Sequence, residues 1–370
     1  MKPAPGSPKL DFQPRRGPVP QLSLQELEEC DRVVDVRSPG EFAEDHLPDA
    51  VNVPLLDDHE RARVGTLYRV EGSDAAADWA LTRLRSRLNQ FLDQLERHLV
   101  TSKRLVICCA RGGDRSRHVV QFLADVGHRA TQLTGGYRGY RSLVRHQMTR
   151  MVFPNLFVVD GLTGTGKTRL LREVEQTRPF NVLDLEAFAE HRSSMLGDVG
   201  LNPASQKLFE SRLYRYWLNQ RDRSTWILVE AESRKVGNRE IPLSLWKQMQ
   251  TAPRIHLSAS METRCRILEE EYKTSDGWEP LIERIRALGP HSDFSESEIE
   301  GLCEGLAAGE VHAVAEDLLV RHYDPRYRHQ MNHHSLLETF EMNDPATLAH
   351  EVIRYLDHQV KKRPEEDQDS

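Results

Sequence analysis

The sequence predicts an α/β chain of two successive units, each built on a mostly parallel sheet, the second running on into a helical C-terminal part. Three observations predict it. Short β-branched runs alternate with amphipathic stretches through residues 21–150, which sets helices between parallel strands. One such run, Leu105-Val106-Ile107-Cys108-Cys109, stops at a loop with two glycines and two arginines, Arg111-Gly112-Gly113-Asp114-Arg115-Ser116. Another, Asn155 to Asp160, opens into Gly161-Leu162-Thr163-Gly164-Thr165-Gly166-Lys167-Thr168, a complete Walker A pattern with a strand before it and a helix after.

The chain of 370 residues is 38% hydrophobic and 29% charged, enough for two domains of ordinary size. No apolar run approaches the ~18–20 residues that span a bilayer. Met1-Lys2-Pro3-Ala4-Pro5-Gly6 lacks the apolar core of a signal peptide, so a cytoplasmic protein without a membrane partner is expected. Cys30, Cys108, Cys109, Cys265 and Cys303 have neither CxxC nor Cys/His ligand spacing, which predicts no disulfide framework and no zinc site. The net charge of −7 speaks against a protein that coats nucleic acid, yet residues 101–150 carry ten basic side chains against Asp114 and Asp125. That segment is net +8 and the remainder −15, a basic field suited to a polyanion, with a solvated helix face accounting for some of the arginines.

Residues 1–20 read as a flexible lead-in, rich in proline, glycine and charge. Ser23 is placed to cap a short helix from Leu24 to Cys30. Arg32 to Arg37 reads as a buried strand, Ser38-Pro39-Gly40 as a turn into a small helix through Glu41-Phe42, and His46 to Pro54 as a loop leading into a short strand. A charged stretch, Asp57 to Tyr68, and Gly72-Ser73-Asp74-Ala75-Ala76 follow. From Trp79 to Leu99 apolar residues recur at helical spacing, which predicts one long helix crossing back to the strand that delivers Cys109. After the thiol loop come a helix through Val119 to Leu123, a last strand at Thr131-Gln132-Leu133, the turn Gly135-Gly136-Tyr137 and a helix to about Met151.

The loop after Cys109 suits an anion-cradling nucleophile. Gly112 and Gly113 let successive backbone N–H groups face one centre, Arg111 and Arg115 add fixed positive charge, and the helix that follows aims its N-terminal dipole at the same place. Such surroundings lower a cysteine pKa to as little as ~3.5–7.5, so Cys109 is expected as a thiolate nucleophile and Cys108 as a buried packing residue.

Residues 151–260 form the second domain. Its glycines Gly161, Gly164 and Gly166 let backbone N–H groups wrap a diphosphate, Lys167 reaches the outer phosphate, and Thr168 is placed to hold Mg²⁺. Phe180 to Glu186 is expected as a further strand, followed by the polar stretch Glu190-His191-Arg192-Ser193-Ser194. Thr225 to Arg234 is expected as an apolar strand whose carboxyl end carries Glu230 and Glu232, where P-loop proteins place a Mg²⁺-orienting acid. Gln206 to Leu218 is amphipathic. Residues 261–360 read as a helical extension containing Arg264 to Tyr272, Ser295 to Leu306 and Val311 to Val320, and residues 361–370 as a disordered tail. Arg321-His322-Tyr323-Asp324-Pro325-Arg326-Tyr327-Arg328 mixes bases with aromatics, a composition able to stack on nucleic acid.

The Asp35-Val36-Arg37 strand, the Glu41-Phe42 turn, His46-Leu47-Pro48-Asp49-Ala50, the Cys109 loop and Gly135-Gly136-Tyr137 resemble, in that order, a rhodanese domain. Its fusion to a P-loop narrows the likeness to the bacterial tRNA 2-selenouridine synthase family, which it resembles also at Asp58 to Tyr68, Gly72 to Ala76, Asp184 to Ser194, Glu230 to Arg234 and Tyr323-Asp324-Pro325. Two places depart from that pattern: Trp79-Ala80 stand where the family has a glycine, and Arg192-Ser193-Ser194 where it has Arg-Gly-Ser. The resemblance implies conversion of wobble 2-thiouridine in tRNA to 2-selenouridine, by S-geranylation with geranyl diphosphate and then replacement with selenium from selenophosphate, with a selenophosphate-supplying enzyme as a further partner. It implies Cys109 as catalytic, the P-loop as diphosphate site, and Asp184, Glu186, His191, Arg192, Glu230, Glu232 and Arg234 as further residues of that site. Arg117, Arg138, Arg141, Arg326 and Arg328 are the expected contacts to the tRNA anticodon arm. Two other classes fit parts of the chain. The spacing from Cys109 to Arg115 also suits a Cys-dependent phosphatase or arsenate reductase with a regulatory P-loop. The Walker A pattern alone suits an ATP-driven kinase or NTPase with a rhodanese docking module.

Overall fold

The computed structural model describes residues 17–28, 30–99, 104–194, 196–220, 223–275, 277–288, 292, 294–328 and 336–362. Its contacts divide the chain into two units, Met1–His146 and Gln147–Ser370. Most of the expected lead-in, residues 1–16, and residues 363–370 of the expected tail lie outside the described residues. Among the described residues no helix is long and apolar enough to cross a membrane.

The first unit holds strands β1 (Gln21–Leu22), β2 (Asp31–Asp35), β3 (Val51–Asn52), β4 (Arg104–Cys108) and β5 (Ala130–Leu133). They form one parallel sheet in the order β1-β5-β4-β2-β3. Strand β4 is central, and Leu105, Val106, Ile107 and Cys108 are all buried. A strand covered on both faces needs apolar residues throughout, which is why this run does not alternate. Register sets Cys108 opposite Asp35, so the loop beginning at Cys109 leaves the carboxyl edge of the sheet.

Two expectations for this unit are corrected. The stretch from Leu24 to Cys30 is a single 3₁₀ turn, Leu24–Glu26, none of whose residues is buried. The chain before it pairs with β5 instead, as strand β1. The helix expected from Trp79 to Leu99 is two helices, Ser73–Arg85 and Leu88–Leu99. Between them the Ser86 hydroxyl donates to the Arg83 carbonyl at 2.7 Å, and Arg87 donates to the Leu55 carbonyl and to Glu60, each at 2.6 Å. The charged stretch after Asp57 is also helical, Asp58–Val70. A reciprocal cap nucleates it: Glu60 N–H donates to Asp57 Oδ1 at 2.7 Å, and Asp57 N–H to Glu60 Oε2 at 3.1 Å.

The second unit holds β6 (Leu156–Asp160), β7 (Val182–Leu183), β8 (Ile227–Glu230), a small hairpin of β9 (Lys235–Val236) and β10 (Arg239–Glu240), β11 (Arg254–Ser258) and β12 (Leu336–Glu341). The main sheet is parallel in the order β12-β11-β6-β8-β7. One core packs helices Lys167–Thr177 and Pro345–Lys362 with the sheet, through Leu170, Leu171, Val174, Val352, Leu356 and Trp226. A second core joins helices Met261–Tyr272, Glu279–Leu288, Glu296–Ala308 and Val311–Leu318.

Here too the structure departs from the sequence reading. The strand expected from Phe180 to Glu186 is only Val182–Leu183, because Asp184 accepts from the Ala187 N–H at 2.8 Å and caps a short helix, Leu185–Ala189. The region read as wholly helical contributes β12 to the sheet, its Phe340 in register with Leu257. The helix expected from Val311 to Val320 stops at Leu318 and passes into a π turn, Leu319–Tyr323. Lys361 and Lys362, read as tail, end a regular helix.

Candidate active site

The thiol loop is held by the strand beside it. Cys109 is buried, with its Sγ 3.1 Å from the Ser116 hydroxyl. Ser116 lies in helix Asp114–Asp125, whose N-cap is Gly113, so the thiol faces the first turn of that helix. Gln132, a buried polar residue in the middle of β5, donates through Nε2 to the carbonyls of Gly112 and Gly113 and to Ser116 Oγ, each at 2.9 Å. Those bonds occupy the outward carbonyls and leave the loop N–H groups for an anion. Gly136 closes the cradle: at φ +51°, a Cβ there would stand 2.2 Å from the Cys109 carbonyl, so no other residue fits. The N–H groups of Tyr137 and Arg138 donate to the carbonyls of Cys109 and Ala110, each at 2.9 Å. Cys108 has no exposed surface, and burial, helped by Asp35, pushes its thiol well up. It is a neutral packing group.

The basic residues sort into two kinds. Arg111 and Arg138 are exposed. Arg115 is ion-paired with Glu41 at 3.3 Å and Arg117 with Asp114. Arg141, expected to touch tRNA, is buried and paired with Asp45 at 3.5 Å. It belongs to an internal network in which Arg37 donates to Asp35 and the Asp45 carbonyl and stacks on Tyr137, whose hydroxyl donates to Asp45. That assignment is therefore corrected: a guanidinium buried against a carboxylate orders the domain and does not meet a polyanion.

In the second unit the Walker loop springs from the end of β6. Gly161 passes so close to β11 that a Cβ on it would meet the Leu257 carbonyl at 2.4 Å. Gly166, also left-handed, is the N-cap of helix Lys167–Thr177. Lys167 Nζ donates to the carbonyls of Gly161 and Leu162 at 3.0 and 3.2 Å, which keeps the ammonium over the loop. The Thr168 hydroxyl donates to Glu230 Oε1 at 3.2 Å and to Glu186 Oε2 at 3.4 Å. Oxygens of Glu186, Glu230 and Glu232 all lie within 4.8 Å of one another.

Three carboxylates so close and so poorly solvated resist ionisation together. Burial, with mutual repulsion, raises Glu186 and Glu230, and pushes Glu232 up to about 8; Lys167 opposes the trend. Glu230 Oε2 is buried without a hydrogen-bond partner among the described residues. An all-oxygen set with one such orphan atom, beside the Walker threonine, fits a hard divalent cation such as Mg²⁺.

Other expected residues serve the surrounding loop. Asp184 caps its helix, as above. The Ser193 N–H donates to Glu186 Oε1 at 2.5 Å, and the serine standing in place of glycine adopts no left-handed backbone, so it is accommodated without strain. Arg192 is committed to the carbonyls of Val199 and Glu271, at 2.9 and 2.8 Å, and stacks on Tyr272. His191 is buried, which lowers its pKa, and the φ of Gly237 brings that residue against its ring. Arg234 is exposed on the hairpin, 3.9 Å from Glu240. Arg326 donates to His322 at 2.9 Å, and the side chain of Arg328 lies outside the described residues.

Sequence reading missed two groups around this loop. Asp160, the last residue of β6, accepts from the His256 Nδ1–H at 2.7 Å. Arg264 donates from Nε to the Thr163 carbonyl at 2.8 Å and holds Asp324 in a buried two-pronged pair at 3.0 and 2.5 Å. A strand-end acid and an arginine in a charged helix were visible as residues, but their partners are distant in sequence.

Comparison with known proteins matches both units. The family model described as the tRNA 2-selenouridine synthase AAA domain matches residues 154–302, and the rhodanese-like domain model matches residues 20–143. A tRNA 2-selenouridine synthase of Nitrosomonas europaea is 36% identical over 248 residues, 65% of this chain and 63% of that protein. One from Proteus mirabilis is 31% identical over 336 residues, 81% of this chain and 89% of that protein. Among solved structures, a rhodanese-related protein from Thermoplasma volcanium is 20% identical, covering 34% of this chain and 93% of its own, with a TM-score of 0.22.

Proposed function

Because the chain belongs to the tRNA 2-selenouridine synthase family, we propose that it modifies tRNA, converting wobble 2-thiouridine to 2-selenouridine in two steps. The observation that carries this reading is the presence, in one chain, of two differently equipped anion cradles. One presents the Cys109 thiol to a helix N-terminus, and the other presents Lys167 and a carboxylate cluster.

In the first step the thiocarbonyl sulfur attacks C1 of geranyl diphosphate. The carbon–oxygen bond breaks with its electron pair leaving on diphosphate, and the base loses its N3 proton to solvent. The Walker N–H groups and Lys167 stabilise the charge that grows on the leaving group. Mg²⁺, which Thr168, Glu186, Glu230 and Glu232 would hold, supplies further charge neutralisation when bound. In the second step selenium from selenophosphate bonds to C2 and the geranylthiolate leaves, while water takes the phosphoryl group and a proton returns to N3. The Cys109 loop holds the selenium donor. Arg111, Arg117 and Arg138 face the phosphates of the anticodon arm. An enzyme supplying selenophosphate is the expected partner.

The test is mass spectrometry of tRNA nucleosides from cells expressing the wild type, Cys109→Ala or Lys167→Ala. Cys109→Ala is expected to stall at the thio or geranylthio nucleoside and Lys167→Ala to leave plain 2-thiouridine. Selenouridine at wild-type levels in both variants rejects the scheme. ATP turnover abolished by Lys167→Ala points instead to an NTPase.

A further inference from the structure

Beside the Walker loop lies an apolar pocket, partly open to solvent, with an enclosed volume of about 40 Å³. Its wall includes Thr163 of the loop itself, with Leu268, Trp278, Val314, Ala315 and Tyr323. Leu268, Val314 and Ala315 come from helices of the second core, Trp278 from the turn before helix Glu279–Leu288, and Tyr323 from the end of the π turn. Loop and pocket are one piece of structure. Leu268 Cγ is 3.3 Å from where a Cβ on Gly164 would stand, so helix Met261–Tyr272 lies directly on the phosphate loop. One turn earlier in that helix, Arg264 grips the Thr163 carbonyl and, through Asp324, the turn that delivers Tyr323.

We infer that this pocket takes the hydrocarbon chain of the diphosphate donor, so that this P-loop is fitted to a prenyl diphosphate and not to a nucleoside triphosphate. The inference rests on the reading above that the donor carries a prenyl group, and adds where that group sits and what limits its length. A nucleoside base needs polar partners for its ring edges and a ribose needs partners for its hydroxyls. The wall offers almost only carbon, and the hydroxyl of Tyr272, one of its few polar groups, is already engaged by Ser194 at 3.0 Å. An aliphatic chain asks for no such partners and gains from leaving water. Val314, Ala315 and Leu306 also line it, and the limited room they leave makes the pocket selective for chain length.

The experiment is calorimetric titration of the full-length protein with inorganic diphosphate, dimethylallyl, geranyl and farnesyl diphosphates, and ATP. For the wild type, geranyl diphosphate should bind at least about tenfold tighter than dimethylallyl diphosphate, since burying the extra five carbons at hydrocarbon-transfer values supports that and more. Val314→Phe fills part of the pocket and should abolish that ratio while inorganic diphosphate binds as before, which also shows that the variant is folded. Leu268→Ala opens the wall and should move the preference toward farnesyl diphosphate. A wild type that forms the geranylthio nucleoside, but whose chain-length ratios survive both substitutions, overturns the pocket assignment alone. A protein that binds ATP tightly and geranyl diphosphate no better than inorganic diphosphate overturns the reading on which it rests as well.

Discussion

Glu232 illustrates what a single side chain records about its surroundings. Its partial burial, with repulsion from Glu186, pushes its carboxyl up to about 8, against a usual value near 4.5. Between those two values the folded protein keeps a proton that the unfolded chain has released, so rising pH favours unfolding throughout that window. Stability without divalent cations should therefore fall from about pH 4.5 to about pH 8 and level off above it. Glu232→Gln should flatten that slope in thermal melts. Because a bound cation holds the carboxylates ionised, Mg²⁺ should raise the melting temperature of the wild type at pH 8 and do so much less in the variant. An identical pH slope in Glu232→Gln and wild type would remove the coupling. At this same scale, the chemistry-bearing residues were legible where a contiguous motif carries them, as with Cys109 and Lys167. They were illegible where a partner decides the role. Arg141 and Arg138 look alike in a basic helix, and only Asp45, 96 positions before Arg141, makes one of them internal.

Elements show a different boundary between the readable and the hidden. Buried strands announced themselves as unbroken apolar runs, because both faces are covered. Helix Asp58–Val70 did not, since Leu67 is its only buried residue and leaves no apolar stripe; its signal was the Asp57/Glu60 cap. Periodicity ran straight through Ser86-Arg87, where Arg87 leaves the helical path for Leu55 and Glu60, a choice set by tertiary contact. Strand β12 was hidden for the opposite reason, with four of its six residues exposed at the sheet edge. The turn at Gly136 is an element whose geometry can be tested directly. Replacing it by alanine forces a left-handed residue against the Cys109 carbonyl, a clash of backbone with backbone that no rotamer relieves. Gly136→Ala should destabilise its unit by roughly 2–4 kcal/mol and abolish selenation even if the chain remains folded. Urea denaturation gives the first and nucleoside analysis the second; a variant matching the wild type in both would mean that the loop tolerates another path.

At the scale of the whole molecule the chain divides into two compact units. Among the described residues, the first packs around Val34, Ile107, Phe122 and Leu95 beside its own five-stranded sheet, and the second around the two clusters described above beside another five-stranded sheet. Neither sheet borrows a strand from the other, so each unit contains what is needed to unfold cooperatively. Scanning calorimetry of the intact protein should then show two transitions, and the substitutions argued above become their labels. Gly136→Ala should lower only one, whereas Glu232→Gln and saturation with inorganic diphosphate should move only the other. A ligand at a hundred times its dissociation constant adds about 2.7 kcal/mol to whatever body binds it and nothing to a body that unfolds independently. If both substitutions and the ligand instead shift one common transition, the two units stabilise each other, and the thiol loop and the phosphate loop would belong to a single cooperative structure whose chemistry is coupled through its stability as well as through its substrate.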